Sequence, residues 1–226
     1  MTLVWSPETA SKAYLDTIQT CGISSKTSAA EFLSAMAAGY NSKLIVEAWK
    51  KHENGDDVSN ITTSTGLAIA AKHTQGRHVC IVPDEASRVG YVSAMQTLPA
   101  DVSLPEVIVG PVEEIIISKK LNRAVDFFVV DAYSGRKDFA KALISSVKLN
   151  QDGAILVCSS TLSWKEVILC AKVHVVRAIT LPFGNGLDIA YIASNNIGNL
   201  KSSKNNPKRW IRHVDQESGE EYVIRR

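Results

Sequence analysis

The sequence has few cysteines and none of the patterns in which cysteines hold a metal or a disulfide framework. Cys21, Cys80, Cys158 and Cys170 form no CxxC pair and no Cys/His cluster with zinc spacing. Cys80 and Cys158 lie inside apolar runs, where a free cysteine usually packs as a small hydrophobic side chain. We therefore expect a reduced, intracellular protein.

Long apolar runs are also missing, and glycine and proline are scarce. The 13 glycines and 7 prolines among 226 residues exclude collagen-like and low-complexity chains. No apolar run approaches the ~18 residues that a membrane-spanning helix needs. The opening MTLVWSPETASKAYLDT has neither the basic nor the apolar region of a secretory signal. The sequence thus predicts no membrane partner and a cytoplasmic or nuclear location.

Neither sign of charge dominates, since 25 Lys and Arg face 23 Asp and Glu for a net charge of +2. This balance excludes a protein whose whole surface binds nucleic acid. The excess is local, because residues 199–226 carry seven basic and four acidic side chains. Together with Trp210, this basic tail could contact a nucleic-acid strand. A charge run on a small ribbon is usually a solvated face, so we do not expect a nucleic-acid partner.

What the chain does contain is a series of short apolar segments that alternate with helical ones. The apolar runs are continuous, as expected for parallel strands covered on both faces. The predicted strands are Lys43–Ala48, Arg77–Pro83, Glu106–Val109, Val125–Asp131 and Ala154–Cys158. The helices between them are predicted near 63–74, 86–97, 111–121 and 136–148. This alternation predicts an α/β fold, with a doubly wound, mostly parallel sheet in an α/β/α sandwich.

Both ends of the chain depart from this pattern. Residues 1–41 are predicted to form an N-terminal helical cover, with helices near 7–20 and 30–39. After a helix near 162–172, strands near 173–180 and 187–193 flank Asn185-Gly186, which predicts an antiparallel hairpin. The sheet domain is therefore placed at 42–198. Residues 199–226 are a basic linker followed by a small ribbon that turns near Gly219.

Polar and small residues stand where the predicted strands end, and there an open α/β sheet binds its ligands. Glu47, Asp84 and Asp131 supply carboxylates, and Gly110 follows the third strand. An acidic crevice suits a neutral or cationic ligand with ribose hydroxyls better than a polyphosphate. Thr62, Thr63, Ser64, Thr65 and Gly66 open the first helix after the sheet begins. We expect an N-cap from Thr62–Thr65 and, less often, an anion contact at this helix start.

Several of these segments resemble class I S-adenosylmethionine-dependent methyltransferases, above all the small O-methyltransferases of the caffeoyl-CoA type. The similar segments are RHVCIVPDEASRVGY, VGPVEEII, VDFFVVDAYSG and FGNGLDIAYI. With WSPETASKAYLDT and AEFLSAMAAG included, the whole chain resembles a plant family of methyltransferase-like proteins. The resemblance implies a Rossmann-like methyltransferase topology and S-adenosylmethionine as cofactor.

The resemblance also implies a role for each strand-end residue. Glu47 matches the acid that opens the glycine-rich motif, and Asp84 matches the acid that accepts hydrogen bonds from the ribose hydroxyls. Gly110 lies in the turn near the adenine, and Asp131 matches the acid after the fourth strand. Thr63, Ser64, Thr65 and Gly66 complete the expected cofactor crevice.

Two departures from the family pattern bear on activity. Ala48 and Trp49 stand where the family has glycines, and KKHENGDDVSNI follows as an insertion against which we expect the Trp49 indole to pack. Ser159-Ser160 replace the Asp-Asn pair of the metal-dependent members. Hydroxyls are poor ligands for a hard divalent ion, so no metal is expected.

The sequence therefore leaves two hypotheses open. In the first, the protein binds S-adenosylmethionine or a related nucleoside and transfers a methyl group to a small-molecule or protein acceptor. In the second, it is a non-catalytic member of the methyltransferase fold that serves protein or RNA interaction. None of the five histidines lies in a Ser/His/Asp or Cys/His arrangement, so no catalytic residue is assigned. The oligomeric state is not predicted.

Overall fold

The structure is a computed structural model, and it describes eleven stretches of the chain. They are residues 4–21, 29–49, 57–100, 102–118, 121–131, 147–150, 153–159, 174–182, 186–193, 210–214 and 221–225. The helices within them are α1 (Pro7–Cys21), α2 (Ala30–Gly39), α3 (Asp57–Thr74), α4 (Glu85–Met95) and α5 (Val112–Ile117). The strands are β1 (Leu44–Ala48), β2 (Arg77–Val82), β3 (Glu106–Val109), β4 (Phe127–Asp131), β5 (Ala154–Ser159), β6 (His174–Leu181), β7 (Leu187–Ala193), β8 (Trp210–Val214) and β9 (Glu221–Arg225).

Seven of these strands form one sheet in the order β3-β2-β1-β4-β5-β7-β6. Strands β1 to β5 run parallel, and β7 lies antiparallel between β5 and β6. The seven predicted strands and the antiparallel closing hairpin are thus confirmed. Winding starts at β1 and proceeds both ways, so the strand order reverses between β1 and β4. That reversal is where a doubly wound sheet opens its binding crevice.

Both faces of the sheet are buried, which explains why its strands read as continuous apolar runs. Leu44 and Val46 on β1 pack on one face with Phe128. Ile45, between them, packs on the other face with Phe127. Successive side chains of a strand point to opposite faces, so a strand covered on both sides needs an apolar residue at nearly every position.

The N-terminal helices cover the second of these faces. Ser6 precedes α1 as its N-cap, because its hydroxyl accepts a hydrogen bond from the Thr9 N–H at 3.4 Å. His73 Nε2 on α3 lies 2.8 Å from Asp16 Oδ2 on α1, which ties the cover to the helix behind the sheet. None of the helices in these stretches has the length and apolar character required to cross a membrane.

Some predicted helices differ in extent from those of the structure, and others fall on residues outside the described stretches. Helix α3 begins at Asp57, not at 63, so the polar segment before Ile61 is partly helical. The helix predicted at 136–148 falls mostly on residues outside the described stretches, and residues 147–148 are not helical. The helix predicted at 162–172 lies wholly outside them.

The chain divides into two compact units, Met1–Asn195 and Asn196–Arg226. In the second unit β8 and β9 pair antiparallel, with Trp210 opposite Arg225 and Val214 opposite Glu221. The predicted C-terminal ribbon is therefore confirmed. The linker at 199–208 lies outside the described stretches.

Candidate functional site

The carboxyl ends of the central strands meet at one edge of the sheet. Ala48 at the end of β1 pairs with Ile81 on β2 and with Val130 on β4. At the end of β3, Val109 pairs with Val82. The residues that follow these strands, among them Trp49, Asp84 and Gly110, therefore share the edge at which an open α/β sheet binds ligands.

Asp84 is exposed at this edge and caps α4. Its Oδ1 accepts a hydrogen bond from the Ser87 N–H at 2.7 Å. This bond is the main reason why the pKa of the Asp84 carboxyl lies below its usual value. A carboxylate has about four lone-pair positions, and the cap uses only part of them. The ionised carboxylate therefore keeps acceptor capacity toward solvent.

Gly110 stands beside Asp84 because its N–H donates to the Val82 carbonyl at 2.9 Å. Its φ of +139° lies in a region that other residues rarely adopt. The backbone turns sharply here before Pro111 and α5, so a ligand can approach the main chain without meeting a side chain at this position.

Glu47 lies in the interior, on the face of β1 that α3 covers. The Ser64 hydroxyl on α3 donates to Glu47 Oε2 at 2.8 Å. His78 Nε2 on β2 lies 3.3 Å from the same oxygen, and both side chains are buried. Glu47 and Ser64, two predicted site residues, are thus brought together, and His78 joins them.

The surroundings of Glu47 are mostly neutral. Burial raises the pKa of the Cys80 thiol and of the Tyr91 hydroxyl well above their ordinary values, so both groups stay protonated at neutral pH. Neither ring nitrogen of His78 has a hydrogen-bond partner among the described residues. Within this interior polar group, the hydrogen bond between Ser64 and Glu47 joins α3 to β1. Sequence analysis did not identify His78 as part of this group, because no motif surrounds this histidine in its apolar strand.

Thr63, Ser64, Thr65 and Gly66 lie within α3 and not at its start, so the expected N-cap at this segment was wrong. Their N–H groups follow the first turn and are used in the helix, which leaves none for an anion. The Thr65 hydroxyl also bonds within the helix, to the Ile61 carbonyl at 2.9 Å. Ser64 is the member that reaches another predicted site residue.

Gly66 lies at the contact between α3 and α2. A Cβ at Gly66 would lie 2.6 Å from the Ala30 carbonyl oxygen, a backbone atom that cannot rotate away. We expect Gly66→Ala to lower the free energy of unfolding by about 1–3 kcal/mol, the usual range for overpacking. Urea denaturation would measure this loss.

The matched control is Gly90→Ala on α4, where an added Cβ meets nothing within 4 Å. Alanine is the better helix former by ~1 kcal/mol, so this variant should gain stability. Equal effects at Gly66 and Gly90 would show that the close approach of α2 is not what requires the glycine.

Trp49 continues the ladder past the end of β1, because its N–H donates to the Ile81 carbonyl at 2.9 Å. The indole is 7% exposed and meets Tyr91 of α4 edge to face, with ring centroids 5.2 Å apart. Ile61 on α3 belongs to the same apolar cluster. We expected the indole to pack against the insertion, of which residues 50–56 lie outside the described stretches. The described packing joins it to α4 and, through Ile61, to the end of the insertion that forms the start of α3.

Asp131 is the last residue of β4, and its backbone pairs with Ser159 at the end of β5. Its position is therefore at the expected edge, while its side chain lies outside what the structure describes. Ser160 lies outside it as well. Within the described stretches, no three His, Cys, Asp or Glu side chains group as they would around a metal ion.

Comparison with known proteins shows the family to which the chain belongs. The family model described as "Protein of unknown function (DUF1442)" matches residues 1–226, and the chain belongs to that family. No curated protein matches the sequence.

Solved structures share the fold over most of their length. A methyltransferase from Geobacter sulfurreducens matches with a TM-score of 0.56 at 15% identity, over 82% of this chain and 88% of its own. The SAH-bound methyltransferase of Podospora anserina matches at 0.51 and 15%, over 84% and 89%. A candidate caffeoyl-CoA O-methyltransferase from Staphylococcus aureus matches at 0.53 and 13%, over 80% and 90%. The expected Rossmann-like methyltransferase topology is therefore confirmed.

Proposed function

We propose that this member of the DUF1442 family binds S-adenosylmethionine, or a related nucleoside, at the carboxyl edge of its sheet. The observation that carries the proposal is the exposed Asp84 carboxylate at the end of β2. It follows β2, which pairs with β1 where the strand order reverses, in a sheet whose fold matches that of methyltransferases. The Podospora neighbour was solved with SAH bound.

The chemistry of the edge supports a nucleoside. A carboxylate can accept hydrogen bonds from both hydroxyls of a ribose, and such charge-assisted bonds are stronger than neutral ones. Gly110, one strand farther out, would let a flat base lie close to the backbone. Asp131 at the end of β4 borders the same edge from the other side of β1.

The other predicted site residues have supporting roles in this proposal. The hydrogen bond between Ser64 and Glu47 holds α3 against β1 from the interior, and His78 on β2 lies 3.3 Å from the same carboxylate oxygen. They are positioning residues for the end of β1. Methyl transfer from the bound cofactor would depend on the proximity and in-line orientation of donor and acceptor. The acceptor, a small molecule or a protein, is left open.

Calorimetric titration with S-adenosylmethionine and with its demethylated product tests the proposal, with NAD and ATP as comparison ligands. We expect Asp84→Asn to weaken cofactor binding roughly tenfold or more, because asparagine offers one acceptor oxygen where the carboxylate offers two. Asparagine caps helices as well as aspartate does, so the melting temperature should stay close to that of the wild type.

The control is Glu85→Gln, the next residue, whose exposed carboxylate pairs with Arg88 on α4. This variant should bind the cofactor like the wild type. If the wild type gives no heat with either nucleoside, cofactor binding is refuted. If Asp84→Asn binds unchanged, the ribose lies elsewhere.

A second candidate function is that of a methyltransferase fold that no longer binds the cofactor. The buried Trp49 indole favours it, since the resemblance places glycine at that position. In this case the wild type should give no heat of binding with S-adenosylmethionine or its demethylated product. A smaller side chain at residue 49 should then restore some binding.

A further inference from the structure

An apolar groove of about 550 Å³ lies on the sheet face that the N-terminal cover leaves partly open. Tyr40, Phe32 and Met36 line one side, and the β6–β7 hairpin lines the other. Across the hairpin, Arg177 pairs with Tyr191 and Ile179 with Ile189. The groove therefore lies over the middle of these strands, away from the edge where Asp84 stands.

Large apolar side chains of this groove face solvent. Val176 is 66% exposed, Ile179 is 42% exposed and Trp5 is 44% exposed. Their presence on one patch is a sign of binding, because soluble proteins rarely leave contiguous apolar surface uncovered. A volume of this size also lies within the range of ~300–1,000 Å³ that small-molecule sites occupy.

Aromatic rings form one wall of the groove. Trp5 meets Tyr40 edge to face at 4.9 Å between centroids, and Tyr40 meets Tyr191 at 5.4 Å. The Tyr191 hydroxyl donates to the Tyr40 hydroxyl. Since the Tyr40 oxygen accepts this bond, its own proton is available to donate to a ligand oxygen.

Among the described residues that line the groove, Arg177 is the only one with a charged side chain. Arg177 lies opposite Tyr191 across the β6–β7 ladder and lines the same groove, which places the cation beside the tyrosine pair. Burial raises the pKa of the Tyr191 hydroxyl, and the Arg177 guanidinium acts in the opposite direction. No carboxylate of the described residues forms an ion pair with Arg177. An anionic group on the ligand would meet this charge.

We propose that the groove binds a small planar aromatic carboxylate. Its ring lies against Trp5 and the apolar side chains of β6 and β7, and its carboxylate lies on Arg177 and the Tyr40 hydroxyl. A guanidinium binds a carboxylate with two parallel hydrogen bonds, which gives both affinity and orientation. The rings of Trp5 and Tyr40 offer the aromatic contact that favours a planar ligand over an aliphatic one.

The test uses 2-naphthoate as the probe and 2-naphthamide, which has the same shape without the charge, as its match. Calorimetry on the full chain should detect naphthoate binding at millimolar concentration, with the amide weaker by about tenfold, as expected for a lost charged hydrogen bond. In proton–nitrogen correlation spectra, naphthoate should shift the indole N–H of Trp5, identified by its loss in Trp5→Phe.

Variants then locate the carboxylate. Arg177→Gln should weaken naphthoate about tenfold and leave the amide unchanged, whereas Arg177→Lys should keep most of the affinity. The control is Arg77→Gln, which removes another exposed strand arginine, one that pairs with Glu106 on β3. The proposal is overturned if the acid and the amide bind with equal affinity, or if Arg177→Gln binds naphthoate as tightly as the wild type. It is also overturned if naphthoate shifts only an indole signal other than that of Trp5.

A second copy of the chain is the competing occupant of this face. Light scattering distinguishes it, because a dimer that Val176→Asp converts to a monomer would assign the face to self-association and refute the small-molecule site. The proposal does not rest on cofactor binding. Asp84→Asn should bind naphthoate normally, so the two sites can fail independently.

Discussion

Replacing Trp49 by alanine is expected to lower the free energy of unfolding by about 3–5 kcal/mol, the usual cost of removing a large buried aromatic side chain. The indole is almost fully buried and packs with Ile61, Val82 and Tyr91, so its removal leaves a cavity between α3, α4 and β2. The edge-to-face contact with Tyr91 is lost as well. Urea denaturation followed by circular dichroism measures the loss.

Two variants serve as controls for this result. Trp49→Phe keeps an aromatic ring against Tyr91 and should recover much of the stability. Trp5→Ala removes a tryptophan that is close to half exposed, and should cost less than Trp49→Ala. Equal losses at Trp5 and Trp49 would contradict the burial of the Trp49 indole.

The same variant separates the two candidate functions. If the indole takes the space of the cofactor, Trp49→Ala should bind S-adenosylmethionine in calorimetry at a temperature where it remains folded, while the wild type does not. If the wild type already binds, the indole packs beside the cofactor site and the first candidate function stands. Trp49→Phe, which keeps a bulky ring, should follow the wild type in either case.

Replacing Asp126 by alanine should be nearly as costly, about 3 kcal/mol of unfolding free energy, because buried hydrogen-bond donors lose their acceptor. The Asp126 carboxylate accepts from the N–H groups of Lys43 and Leu44, each at 2.8 Å, and from the Asn150 amide. These bonds join the starts of β1 and β4 to the segment before β5. The urea denaturation midpoint should fall with no change in slope.

Asp126→Asn is the informative companion, since it retains one acceptor oxygen and should fall between alanine and the wild type. Glu106→Gln is the control, because it changes an exposed carboxylate whose ion pair with Arg77 contributes little. A loss at Asp126→Ala no greater than at Glu106→Gln would show that the carboxylate is dispensable for holding the strands.

Much of the fold could be predicted from local pattern. The strands are covered on both faces, so their apolar runs are continuous, as Leu44, Ile45 and Val46 illustrate. Helix α1 could be read from Ser6 and the proline after it, because N-capping depends on neighbours in the chain. The start of α3 was misplaced, since residues 57–60, of which only Val58 is apolar, show no apolar periodicity to mark a helix.

The candidate site could be predicted only in part, because the sequence does not show toward which face of the sheet a strand side chain points. Asp84 and Gly110 follow strand ends, so the sheet alone places them at the ligand edge. Glu47 lies one residue before the end of β1, where alternation turns it into the interior toward Ser64 and His78. A strand sequence does not show which of two covered faces will carry a buried polar group. The sequence around His78 therefore did not indicate that this residue lies beside Glu47.

By itself, the sequence determined the sheet, its closing hairpin, the helical cover and the ribbon, because these depend on periodicity, turns and caps between neighbours in the chain. Only the tertiary structure decided that Gly66 accommodates the backbone of α2, that the Trp49 indole packs on Tyr91, and that the cover and hairpin enclose a groove beside Arg177. Each of these is a contact between residues far apart in the chain. Such contacts depend on how helices and strands pack in space, which no local pattern specifies.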